Sequence, residues 1–312
     1  MAVNTYKKQP TQQKTFYNRT LLERLVPNLL FMKYGQKKPI PKNEGATVDF
    51  RRFQRLEPAT TPLEEGVPPS GKNVSIINIT ATVEGYGDFV EYSDFIDMVG
   101  IDPFVTEVLE VQGEQAAETL DEIVRNVVVA GTNVYRVNSR ATRGAVAAGD
   151  NLNGATMRRV RQVMARNNVK QMAGMGAYLG IIHPDVSYDV MSDSGWINAN
   201  QYAGSQKLFD GEIGKLYGVR YIETTKAPIW AGAGAGSIDV YGTIILGANA
   251  YGVPDIAGSS KPETIVKPLG SGGTGDPLNQ VATIGWKAYL ATVRLDELCI
   301  LRVESAASVG AL

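Results

Sequence analysis

The chain has 312 residues, of which 44% are hydrophobic and 20% charged, with 31 Lys and Arg against 32 Asp and Glu. This composition excludes a disordered chain, and the length suffices for about two domains of roughly 150 residues. No apolar run approaches the roughly 18 residues of a membrane-spanning helix. A single His and a single Cys leave no zinc cluster and no internal disulfide, so we expect no metal.

The charges are segregated along the chain. Residues 1–43 carry nine bases against one acid, a net charge of +8. Residues 44–130 hold 17 acids against five bases, and residues 131–170 hold eight bases against one acid. Segments of opposite sign favour self-association, in which the basic segment of one copy contacts the acidic surface of another. Two alternatives stay open: solvated surfaces without a partner, and a basic arm that contacts nucleic acid.

The first 43 residues show no sustained hydrophobic period. Their only apolar patch, residues 21–32, is interrupted by Pro27, so we predict an extended arm with at most one short helix. Fully extended, such an arm reaches on the order of 140 Å. The N-terminus lacks the apolar region of a secretory signal, which predicts synthesis in the cytoplasm.

Residues 46–55 and 74–83 have the β-branched and aromatic character of two strands. The segment between them contains four prolines that prevent a regular ladder: Pro58, Pro62, Pro68 and Pro69. We therefore predict a long hairpin with a wide, stiff tip exposed to solvent. A projecting loop of this length is usually functional.

Two helices follow. Asp102 and Pro103 form a helix start, and the apolar stripe behind them predicts a helix to about Ala130, with Gly131 as its stop. Its other face is acidic. A second helix is predicted over residues 155–167, and four arginines point away from its apolar face: Arg158, Arg159, Arg161 and Arg166.

The rest of the chain alternates short strands and loops. We predict strands over residues 178–183, 218–224 and 239–246, and paired core strands within residues 281–303. The last of these should pack near the long helix. The mixture of helices and strands predicts an α+β fold.

No catalytic or cofactor site is predicted. Gly270, Gly272 and Gly275 satisfy the GxGxxG spacing, but Asp276-Pro277 follows where the helix of a nucleotide-binding unit should begin. His183 lies beside Asp185 and Ser187, yet adjacent polar residues do not form a catalytic triad, and we interpret this His as structural. Cys299 lies in an apolar segment that we interpret as a strand, where a thiol behaves as a small hydrophobe.

Three blocks of sequence resemble one branch of a known family: FRRFQRLEPATTPLEEGVPP in the hairpin, GEQAAETLDEIVRN in the long helix, and DPLNQVATIGWKAYLA near the end. The chain resembles the major capsid proteins of tailed bacteriophages with the Hong Kong 97-type fold. The resemblance implies an N-terminal arm over residues 1–43, an extended loop over 44–95 and an axial domain over 176–279. The peripheral domain, with its long spine helix, would comprise residues 96–175 and 280–312.

The function implied by this resemblance is structural. Hexamers and pentamers of the chain would close an icosahedral shell around double-stranded DNA in the virion, assembled in the host bacterial cytoplasm. A separate scaffolding protein, a portal and, in some relatives, a decoration protein would be partners. Opposite charges suggest inter-subunit contacts between two sets of residues: Arg51, Arg52 and Arg55 on the hairpin, and Glu114, Glu118 and Glu122 on the spine helix. The candidates for contact with packaged DNA are Arg158, Arg159, Arg161 and Arg166.

Two other functions stay open as alternatives. An encapsulin, a protein compartment that encloses an enzyme, shares this fold and differs in its cargo. A hydrolase using His183, Asp185 and a serine is the enzymatic alternative.

Overall fold

The computed structural model describes residues 29–41, 45–99, 104–193, 214–256 and 261–309. Within these ranges five α-helices form: α1 Phe31–Tyr34, α2 Asp94–Val99, α3 Phe104–Val129, α4 Gly154–Arg166 and α5 Pro184–Met191. The strands before α3 are β1 Gln36–Ile40, β2 Thr47–Phe53, β3 Ile76–Thr82 and β4 Glu84–Ser93. Those between α3 and residue 256 are β5 Val134–Arg136, β6 Tyr178–Ile182, β7 Gly214–Leu216, β8 Val219–Glu223, β9 Ile229–Trp230, β10 Val240–Leu246 and β11 Tyr251–Ile256. The last are β12 Glu263–Lys267, β13 Val281–Leu290, β14 Val293–Arg294 and β15 Ile300–Ser305.

A seven-stranded sheet forms the larger core. Its order is β5-β15-β10-β6-β8-β7, with β9 paired to β10. Every residue of β10 is buried, because helices cover both faces of the sheet. Side chains of α1 and α3 join the cluster on one face, and side chains of α4 and α5 join the cluster on the other.

A second sheet, in the order β12-β13-β4, packs on the same long helix. Alternate residues of β13 are buried against α3, among them Ala282, Ile284 and Trp286. The buried side chain of Gln112 on α3 donates a hydrogen bond to the carbonyl of Ile284 at 2.8 Å. Helix α3 therefore connects the two sheets, as a spine helix should.

The hairpin β2–β3 projects from this body. Its strands pair antiparallel from Thr47 opposite Thr82 to Phe53 opposite Ile76. The root is held by an apolar cluster that includes Phe50, which lies on Gly252 of β11. A Cβ atom at Gly252 would stand 2.7 Å from the Phe50 ring, so glycine allows this close approach. Residues 54–75 form a long loop without regular helix or strand.

The predicted hairpin, the helix over residues 155–167 and the strands at 178–183, 218–224 and 239–246 agree with β2–β3, α4, β6, β8 and β10. The long helix ends at Val129, as predicted, while its expected start at Asp102 and Pro103 lies outside the described residues. Most of the arm, residues 1–28, also lies outside them. The interpretation of Cys299 as a strand residue is wrong: it ends a 3₁₀ turn, Glu297–Cys299, before β15.

Strand pairing shows where two of the predicted segments lie in the fold. β4, from the segment predicted as extended loop, pairs along its whole length with β13. The last strand, β15, lies between β10 and β5 in the seven-stranded sheet. Among the described residues no helix is long and apolar enough to cross a membrane. The four domain limits remain predictions.

Candidate assembly and nucleic-acid surfaces

The projecting loop and the strand ends that flank it expose large apolar side chains. Leu63 is 76% exposed, Phe53 67% and Val67 57%. Three more are about half exposed: Leu56, Val74 and Ile76. So many large exposed apolar side chains on one projecting segment are typical of a surface that another surface covers.

The tip of the loop is an ordered turn. The Val67 amide donates a hydrogen bond to the Glu64 carbonyl at 3.2 Å, and Gly66 takes a left-handed φ of 78° that favours glycine. Further back, the Lys72 ammonium donates to the carbonyl of Glu57 at 3.2 Å and joins the two arms of the loop. The turn thus presents Leu63, Glu64 and Glu65 on a preformed support.

The three hairpin arginines differ in their surroundings. On β2, Val48 and Phe50 face the body and Arg52 follows them, forming an ion pair with Asp296 of its own chain. Arg51 lies on the opposite face of the strand and Arg55 lies at the start of the loop, both exposed. Strand alternation therefore separates Arg51 from Arg52.

The acids of the spine helix also have neighbours within the chain. Glu118 forms an ion pair with Lys226 at 2.9 Å, and Glu122 pairs with Arg125 one turn later. Glu114 is half-buried. The contacts between these acids and a second copy's hairpin arginines stay a prediction. Glu118, Glu122 and Arg52 each pair with a residue of their own chain, and this makes a contact with a second copy less favourable for them.

Helix α4 presents a uniformly basic surface. It begins at the N-cap Asn153, whose side chain accepts a hydrogen bond from the Thr156 amide at 2.9 Å, and it contains no acid. Met157, Val160 and Met164 are buried below it. All four of its arginines are exposed: Arg158, Arg159, Arg161 and Arg166.

The β7–β8 turn extends this basic surface. The Arg158 guanidinium lies 5.3 Å from the centre of the Tyr217 ring and donates to its hydroxyl at 3.3 Å. Arg161 lies beside Gly218, whose φ of 80° closes the turn. Arginines next to this half-buried aromatic ring suit attraction to phosphates, with no sequence-specific reading.

Other arginines of the basic segment form ion pairs within their own chain, and these pairs could not be predicted from the sequence. Glu304 on β15 is fully buried, and its carboxylate accepts hydrogen bonds from Arg136 at 2.8 Å, Arg143 at 2.6 Å and Arg302 at 3.0 Å. Arg143 also stacks on Trp230, 3.7 Å from the ring centre. Burial alone would raise the pKa of Glu304, but the arginines hold it below its usual value.

A second internal ion pair lies close to this cluster in the chain. Asp150 is buried and accepts hydrogen bonds from Arg140 at 2.7 Å, the Ala147 amide at 2.8 Å and Asn138 at 2.6 Å. Burial opposes its ionisation, but these donors lower the pKa of Asp150 to about 2. The positive charge of residues 131–170 that is available to a partner therefore resides mainly on α4.

His183, Asp185 and Ser187, the residues of the enzymatic alternative, form contacts that stabilise the fold. His183 caps α5, and its Nδ1 accepts a hydrogen bond from the Asp185 amide at 3.2 Å. Burial lowers the pKa of His183. The Ser187 hydroxyl donates to Glu223, so it is not paired with the imidazole. Within the described ranges no three His, Cys, Asp or Glu side chains converge as metal ligands.

Comparison with known structures identifies the fold. The chain is similar to the capsid of cyanophage Pam1, with a TM-score of 0.76 and 14% identity over 96% of this chain and 97% of that one. For the capsid of Ralstonia phage GP4 the TM-score is 0.75, with 12% identity over 96% and 97% of the two chains. For cyanophage P-SCSP1u the values are 0.72 and 14%, over 96% and 95%. The predicted Hong Kong 97-type α+β fold is thus confirmed.

Sequence comparison gives the family. No curated protein matches the sequence. The profile of the phage capsid protein family, however, matches residues 78–303, which include the spine helix, the seven-stranded sheet except part of β15, and the β12-β13-β4 sheet. A match over most of the chain favours a viral shell protein over an enzyme-enclosing compartment. This chain therefore belongs to the phage capsid protein family.

Proposed function

We propose that the chain assembles into hexamers and pentamers that close an icosahedral shell around double-stranded DNA. The observation that carries this proposal is the loop over residues 54–75, whose apolar side chains lack a core of their own. Burying one such side chain against a neighbour contributes roughly 1.5–3 kcal/mol. A contact between a loop on one surface and a different surface on the next copy is heterologous, and such contacts close rings.

The experiment is electron microscopy of the expressed protein, with light scattering on the same sample. Closed shells or sheets of hexamers are the expected result. A monodisperse monomer at high concentration, in the presence as well as the absence of its scaffolding partner, would contradict the proposal. A variant that lacks residues 57–72 serves as the control, because it keeps both strands of the hairpin and loses Leu63 and Val67, the two most exposed apolar side chains of the loop.

Arg51 and Arg55 are the hairpin arginines that we propose to contact acids on a second copy's spine helix, with Glu114, Glu118 and Glu122 as the candidates. Arg52 is left out of the test because its pair with Asp296 belongs to the fold of its own chain. Reversing Arg51 and Arg55 to Glu should weaken assembly at low salt, where charge attraction is least screened. Reversal of the exposed Lys261 is the matched control, and unchanged assembly of the double variant would refute this contact.

For the DNA we propose that the α4 surface faces the interior of the shell. Four exposed arginines on 13 residues without an acid support this role. Replacing all four by Gln should flatten the dependence of log K on log salt by up to about 3–4 and leave empty shells intact. Loss of the shells themselves would assign these arginines to subunit contacts. Neutralising Lys267, at the end of β12, and Lys261, just before this strand, is the control.

The capsid fold further leads us to propose a scaffolding protein and a portal as partners, and assembly in the host bacterial cytoplasm. A decoration protein on the outer surface is a further proposed partner. The role of the chain in all these interactions is structural rather than enzymatic. Co-expression with the neighbouring structural proteins, followed by mass spectrometry of purified particles, tests which of them are bound.

A further inference from the structure

A pocket of about 430 Å³ lies at the root of the hairpin, between β2–β3 and the body of the chain. Its apolar lining includes Phe50, Ile79 and Leu298, the last half exposed. The segment that follows α4 forms another wall. The pocket therefore opens on a junction between the projecting loop and the body, and its apolar part can receive a side chain of moderate size.

The pocket is also positively charged. Arg51, Arg52 and Lys170 line it against one carboxylate, Asp296, which is paired to Arg52. Among the described residues no carboxylate pairs with the ammonium of Lys170, which is exposed. An occupant that combines an apolar side chain with one or two carboxylates would satisfy both the lining and the charge.

The turn at the loop tip has this composition. Leu63, at 76% exposure, precedes Glu64 and Glu65, and the Glu64–Val67 hydrogen bond holds the turn. No residue of the turn lines the pocket of its own chain. Each arm of the loop has about 11 residues and spans up to roughly 35 Å, enough to reach an adjacent copy.

We propose that the turn Leu63–Val67 of one copy binds in the hairpin-root pocket of the next, with Leu63 in the apolar part and Glu64 and Glu65 near Lys170. This inference rests on the proposed assembly and names the surface that receives the loop tip. Each copy then offers one tip and one pocket, so the contact repeats head to tail around a ring.

Cysteine crosslinking tests the contact in assembled particles. Cys299 is the only cysteine of the chain and itself lines the pocket, so Cys299→Ala is first shown to assemble like the unmodified protein and then serves as the background. In that background Leu63→Cys with Leu298→Cys should form intermolecular disulfides on mild oxidation, giving a ladder up to covalent hexamers. The matched control is Leu56→Cys with Leu298→Cys, which moves the loop cysteine out of the tip. Each single-cysteine variant should stay uncrosslinked.

A double-mutant cycle provides the second measurement. Lys170→Ala, and separately Glu64→Gln with Glu65→Gln, should raise the subunit concentration for half-assembly by about two- to fivefold. The combined variant should need no higher a subunit concentration for half-assembly than the more severe of the two, because both changes remove the same interaction. Glu57→Gln is the control.

The outcomes separate the two proposals. If the unmodified protein forms no capsomers or shells, the proposed function fails. If shells form but the 63–298 pair crosslinks no better than the control pair, or the two charge changes add fully, the pocket does not hold the loop tip and this inference is overturned.

Discussion

Replacing Glu304 by Gln tests the internal cluster of the seven-stranded sheet. The carboxylate is fully buried and three guanidiniums converge on it, from Arg136, Arg143 and Arg302. Gln keeps the shape and one acceptor oxygen but removes the negative charge. Its amide nitrogen then faces arginine donors at distances now near 3 Å.

The magnitude follows from what is left unpaired. Hydrogen bonds to charged groups contribute about 1.5–3 kcal/mol each, and breaking a buried ion pair costs about 3–5 kcal/mol. The three arginines are 12–29% exposed, so water replaces the carboxylate only in part. We therefore expect the free energy of unfolding to fall by about 3–5 kcal/mol, or the melting temperature by about 10 °C.

Urea unfolding of unassembled subunits, followed by tryptophan fluorescence, measures this change because Trp230 stacks on Arg143. The matched control is Glu297→Gln, whose carboxylate pairs with Arg294 but is 40% exposed, and we expect a loss below about 1 kcal/mol. Equal losses in the two variants would refute the reasoning that burial makes the Glu304 cluster important.

Three further predictions concern single positions. The pKa of Asp150 is about 2 in the folded chain and 3.8 ordinarily, so its pairing stabilises the folded chain fully above pH 4. About 2 kcal/mol of the free energy of unfolding is lost as the pH falls towards 2. Asp150→Asn should flatten that part of the pH–stability curve. Gly285→Ala should cost about 1–3 kcal/mol in urea unfolding, since its Cβ would lie 2.8 Å from the Phe89 Cβ and 3.0 Å from the Asp88 carbonyl oxygen. Gly113→Ala, inside α3 with no atom within 4 Å of the new Cβ, should instead stabilise unassembled subunits by about 0.5–1 kcal/mol, and destabilisation would show a hidden contact.

The sequence allowed the local features with strong periodic signals to be predicted. Helix α3 has a long apolar stripe, and the hairpin strands β2 and β3 are marked by the prolines between them. Strands at sheet edges were missed because they lack such a signal. All five residues of β12 are exposed, and β1 is a basic QKKPI segment whose strand character depends on its pairing with β11.

The candidate functional surfaces were likewise predictable only where the signal is local in sequence. The exposed arginines of α4 follow from helical periodicity alone, since its apolar residues recur on one face. The partners of Arg136, Arg143 and Arg302 do not, because Glu304 lies more than 160 residues from the first two and meets them only through the pairing of β15 with β5. The pocket at the hairpin root likewise combines segments that are distant in sequence.

The position of β15 has a consequence for biosynthesis. This strand, the last in the described chain, inserts between β10 and β5 and carries the carboxylate that three arginines require. Until residue 305 has been translated, β10 lacks its longest partner and the arginine cluster keeps its positive charge unpaired. On the ribosome this seven-stranded sheet therefore stays incomplete until residue 305 has been added, however well the segments before it have folded.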